Sequence, residues 1–88
     1  MQLEDKLTEL GIFTKRDHSR YRITGTSFVY YPDGRYIKGP NGTMLSDKRW
    51  WKRCDDRVLR PVSIDTVLAE LPRDRQDVMI WNLNKFRY

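Results

Sequence analysis

Apolar residues recur along this chain at two different periods, and the changes of period mark its elements. Leu3, Leu7 and Leu10 stand at i, i+4 and i+7, one stripe of a short amphipathic helix over 2–10. Gly11 is placed to end that helix in a left-handed cap. The next stretch, "IFTKRDHSR", is polar and irregular and reads as a loop that Ile12 and Phe13 anchor to the core.

From 20 to 45 the period shortens to two. "RYRIT" alternates Arg20 and Arg22 with Tyr21 and Ile23, and "SFVYY" is rich in aromatic and β-branched residues. "PDG" at 32–34 is a strong turn signal. Read as a hairpin, it pairs Tyr30 with Tyr36 and Val29 with Ile37. One face then carries Phe28, Tyr30, Tyr36 and Lys38, and the other Val29, Tyr31, Arg35 and Ile37. "GPNG" at 39–42 is a second turn into a short "TML" strand, so the segment reads as a three- or four-stranded antiparallel meander.

The stretch "DKRWWKRC" at 47–54 is decided by periodicity. As a strand it mixes tryptophan with cations on both faces. Wound at about 100° per residue, it places Lys48, Arg49, Lys52 and Arg53 on one side and Trp50, Trp51 and Cys54 on the other. The pattern predicts a helix over 46–54, capped by Ser46, with the tryptophans in the core and the cations outward. "SIDTVLAEL" at 63–71 predicts another helix, with Ser63 as N-cap and Ile64, Val67, Leu68 and Leu71 along one face. Beyond Pro72, Met79, Leu83 and Phe86 favour a last helix over about 74–86, although Met79, Trp81 and Leu83 also alternate as in a strand.

The expected fold class is therefore α+β: one small basic domain over 1–88, with a meander at about 20–45 packed against three to four short helices. Its core is expected to bring together Val29, Ile37, Trp50, Trp51, Val67, Leu68 and Leu83. A chain of 88 residues has room for one core, and at 12% aromatic content the rings must supply much of it.

Composition changes the picture mainly through charge. The net charge is +5, and it is segregated. Residues 12–60 hold twelve Lys and Arg against five acids (+7), residues 1–11 sum to −2 and residues 61–88 to zero. Segregated basicity points to a polyanionic partner. Cys54 and His18 are the only residues of their kinds, so neither an internal disulfide nor a Cys/His zinc site can form. With no positively charged leader and no long apolar run, the expected location is cytoplasmic.

No phosphate loop, nucleophile elbow or zinc-protease helix occurs in the sequence, and no cofactor is expected. Helix-turn-helix, zinc-finger and zipper patterns are also missing, which leaves RNA favoured over DNA. The expected function is non-catalytic nucleic-acid binding. Lys48, Arg49, Lys52 and Arg53 form its main patch, supported by Lys15, Arg16, Arg20, Arg22, Arg35 and Lys38. Tyr30 and Tyr36 are candidates for stacking on unpaired bases.

A second reading is a protein inhibitor of a nucleic-acid-processing enzyme. Short, basic, cysteine-poor and without catalytic motifs, the chain is similar in character to phage accessory proteins and antitoxins. A third is a metal-independent RNase with His18, beside Arg16 and Arg20, as general base.

Overall fold

The computed structural model describes residues 2–17 and 19–86. The chain opens with helix α1 (Leu3–Glu9), which buries Leu3 and Leu7. It ends where expected. Gly11 takes φ +79°, its N–H donates to the Thr8 carbonyl, and the Ile12 N–H donates to the Leu7 carbonyl at 2.9 Å. These two bonds close a Schellman cap. Ile12 and Phe13 then enter the core, 4% and 2% exposed. The stretch expected to be a loop is instead a strand, β1 (Phe13–Asp17), completed by cross-strand bonds to β2 (Arg20–Ile23).

Strand β3 (Phe28–Tyr30) follows. Pro32–Gly34 does form a turn, with the Gly34 N–H donating to the Tyr31 carbonyl. The expected pairing across it does not occur. β4 (Arg35–Gly39) turns away and pairs with β5 (Gly42–Ser46) as a separate two-stranded sheet, with Ile37 opposite Met44 and Tyr36 opposite Leu45. β3 pairs instead with β2 on one side and with β6 (Trp50–Arg53) on the other. β7 (Leu59–Pro61) completes a five-stranded antiparallel sheet of order β1-β2-β3-β6-β7. The β4–β5 hairpin is thus an excursion inserted between two neighbouring central strands.

Residues 47–54 do not form the expected helix. A helical wheel is decisive only where an element has one buried side, but the sheet here is covered on both faces. Trp50 stands opposite Tyr30 and faces the helices, while Trp51 stands opposite Val29 and faces the other way. They are 7% and 3% exposed. The cations that made each strand face look unburiable sit at the ends of the strand, where long side chains reach past the core to water.

Helices α2 (Ile64–Glu70) and α3 (Arg73–Lys85) follow the sheet. Ser63 Oγ accepts from the Thr66 N–H, as its N-cap role required. Pro72 separates the two helices, and Gln76 Nε2 ties them by donating to the Leu68 carbonyl at 2.7 Å. The fold is α+β, with three helices among the described residues.

Two apolar clusters result. The larger lies between sheet and helices and includes Leu7, Phe13, Ile23, Phe28, Tyr30, Trp50, Val67, Met79 and Leu83. The smaller lies on the opposite sheet face, where Val29, Tyr31 and Trp51 are covered by Ile37 and Leu59. Val29, Ile37 and Trp51, expected against the helices, belong to this second cluster.

The two tryptophans should therefore fail differently. Trp50→Ala opens the main core and should lower unfolding free energy by about 3–5 kcal/mol, a large share of a small domain's stability. Its urea transition should shift or be lost. Trp51→Ala should leave a cooperative transition at a lower midpoint. Limited proteolysis should then cut first within residues 34–46.

Candidate functional site

Alternation along three strands builds a cluster of arginines on the sheet face away from the helices. On β2, Tyr21 and Ile23 are buried, so Arg20 and Arg22 project to the other side. Arg22 stands across from Val29, and Val29 across from Trp51. Cross-strand partners share a face, so Arg53, two residues beyond Trp51, joins them. Arg16 comes from β1 at a register irregularity between Lys15 and Asp17, the kind of bulge that re-aims side chains.

Arg16, Arg20, Arg22 and Arg53 line a cleft of about 210 Å³, and its remaining lining residues are Ser27 and Val29. Both are short, which leaves room above β3 for the arginine stems. The Arg53 N–H donates to the Ser27 carbonyl at 2.9 Å, locking the two strands at the cleft's end. Among the described residues, no acidic side chain lines the cleft.

Two of the arginines are held in place by neighbours. Arg22 Nε donates to the Thr26 carbonyl at 2.9 Å, leaving the terminal nitrogens of its fork to an anion. Arg20 Nε lies 3.0 Å from Asp17 Oδ2, an ion pair at the rim of the cleft. A side-chain hydrogen bond with Tyr31 raises the Arg20 pKa; burial opposes this, and the charge of Asp17 adds to it. Asp17 is in turn fixed by Ser19, whose N–H and hydroxyl donate to its Oδ1 at 2.8 and 2.9 Å. Those bonds, with the charge of Arg20, hold the Asp17 carboxyl below its usual value.

The other cations named from the sequence are not brought to this cleft. Lys52 projects to the helix side, where its Nζ sits 5.5 Å from the centre of the Phe28 ring and 3.4 Å from Glu70. Arg35 lies over the Trp51 ring at 5.2 Å and close to Tyr31. Arg49 lines a different hollow together with Glu4 and Asp33. Lys48 lies in the exposed segment before β6, and its carbonyl accepts from Trp51 Nε1 at 3.1 Å. Lys38 is exposed on the hairpin. Lys15 stands opposite Tyr21, on the other side of the sheet from Arg22.

The two tyrosines part company. Tyr30 is 1% exposed and packs on Trp50 with ring centres 4.5 Å apart, so the expected stacking role is closed to it. Tyr36 is 69% exposed on the hairpin. His18 lies outside the described residues.

Sequence reasoning missed the residues that shape the cleft: Ser27 and Val29 in its floor, Thr26 behind Arg22, and Tyr31, Asp17 and Ser19 around Arg20. Short side chains at alternate positions between arginine-bearing strands were the available signal. Their meaning depended on knowing which strands are neighbours.

Among the described residues, no group of three or more His, Cys, Asp or Glu side chains could hold a metal ion. Nor is any helix among them long and apolar enough to cross a membrane. No family model, curated protein or solved structure matches this chain.

The Asp17 network makes stability depend on acid pH. A carboxyl whose folded-state pKa is depressed stabilises the fold fully above its ordinary value of 3.8, and that contribution is lost as pH falls through the lower folded value. Asp17→Asn should flatten this acid limb in unfolding curves measured from neutral pH downward. Ser19→Ala should raise the Asp17 titration seen by NMR.

Proposed function

We propose that this protein binds nucleic acid without catalysing a reaction, with RNA favoured, and that the arginine cleft is its phosphate-binding site. The observation that carries this reading is the convergence of Arg16, Arg20, Arg22 and Arg53, drawn from three strands, on one cleft without an acid among its described lining residues. Asp17 offsets only Arg20, and like charges sharing one cleft repel one another, which costs stability unless a further anion joins them. Arginine forks also match phosphate oxygens in pairs.

Two features favour unpaired RNA over duplex DNA. The cations lie in a cleft on a sheet, whereas major-groove readers present a helix or ribbon that fits the groove. Tyr36 offers an exposed ring on the hairpin that packs against this same sheet face, suited to stacking on an unpaired base.

Binding of a labelled single-stranded RNA, followed by fluorescence anisotropy across a salt series, tests the proposal. Affinity should fall linearly with salt on a log–log plot, with each phosphate contact contributing about 0.7 to the slope. The double variant Arg22→Gln, Arg53→Gln should weaken binding and reduce that slope by about 1.4. Lys52→Gln should leave both nearly unchanged, because Lys52 is engaged with Glu70 and Phe28 on the other side. Absence of binding at low salt would overturn the proposal.

A further inference from the structure

We infer that the arginine cleft recognises a terminal phosphate of the nucleic acid, a phosphate monoester at a strand end, in preference to phosphodiesters along the strand. This rests on the nucleic-acid reading above and sharpens it. Proteins that track a backbone spread their cations along a groove, so that successive phosphates each meet one. Here four arginines from three strands line one cleft of about 210 Å³. Arg16 arrives from β1, Arg20 and Arg22 from β2 and Arg53 from β6, and they surround a floor made by Ser27 and Val29 of the segment leading into and along β3.

Charge matching leads to the same group. An internal phosphodiester carries one negative charge and two free oxygens, which, with Arg20 already paired to Asp17, leaves two of the other three arginines uncompensated. A terminal monoester carries about −1.5 to −2 near neutral pH and presents three free oxygens. It can accept from several forks at once. The floor strengthens each contact, since Val29 is 6% exposed and supplies an apolar, low-dielectric base. Arg22 is already fixed through Nε by Thr26, so little side-chain freedom is lost when its terminal nitrogens bind.

The test uses one short single-stranded RNA in three forms: hydroxyl at both ends, phosphate at the 5′ end, and phosphate at the 3′ end. A hydroxyl-ended RNA longer by two nucleotides controls for added charge alone. At least one phosphorylated form should bind about tenfold tighter than the hydroxyl form, while the longer control gains little. The difference between the 5′ and 3′ arms identifies which end is read.

That advantage should shrink between pH 7 and pH 5, as the monoester loses its second charge around a pKa of about 6. It should disappear in Arg22→Gln and in Arg53→Gln, with circular dichroism and thermal unfolding confirming that each variant is folded. Arg16→Gln, at an exposed position, supplies a second route should either variant not fold. If the phosphorylated forms gain no more than the longer control, the inference fails while nucleic-acid binding stands. An advantage that survives all three substitutions overturns the assignment to this cleft. Failure of every RNA to bind overturns both readings.

Discussion

Strand β3 is apolar on both sides, with Phe28 and Tyr30 turned one way and Val29 turned the other, and it can be buried only where both sheet faces are covered. Pairing with β6 meets that demand. It sets Trp50 beside Tyr30 and Trp51 beside Val29, one large ring on each face. The helices close over the first face, and the β4–β5 hairpin with Leu59 closes over part of the second. Adjacent tryptophans in sequence thus act as two anchors pointing in opposite directions.

This constraint also explains why a cleft exists. The hairpin covers the sheet around Val29, Tyr31 and Trp51, but among the described residues none of the hairpin lines the cleft at Ser27. Arg20 and Arg22 of β2 and Arg53 of β6 stand beside it, and the short side chains of Ser27, just before β3, and of Val29 leave a hollow between them. The same alternation that buries Tyr21, Ile23 and Trp51 therefore directs the cations. Asp17 at the end of β1 and Ser19 just before β2 anchor Arg20 at the rim.

The helices were legible because each carries its own instructions. Leu3 and Leu7 define a face, Gly11 supplies the left-handed cap, Ser63 caps the second helix, and Met79 and Leu83 keep helical spacing after Pro72. These are signals between residues close in the chain, where geometry follows from spacing. The turn at 32–34 was equally local and was read correctly as a turn. Its neighbours were misassigned because a turn does not state whether the strands beside it pair with each other or diverge.

Residues 47–54 show where local reading stops. A helical wheel separates tryptophans from cations cleanly, yet that separation matters only if one side of the element is buried. The sheet buries both, and nothing between 47 and 54 records that a hairpin lies on one face and helices on the other. By itself the sequence determined an α+β chain with its basic residues in the middle, the three helices that form and the turn at 32–34, while the same periodicity also predicted a helix over 46–54 where a strand lies. Tertiary structure alone decided that β3 pairs with β6, that Lys52 and Arg35 are taken up by aromatic and acidic neighbours, and that Arg16, Arg20, Arg22 and Arg53 share one cleft. The reason is physical: strand partners are chosen by the burial of distant faces against one another, and that choice is made between segments far apart in the chain.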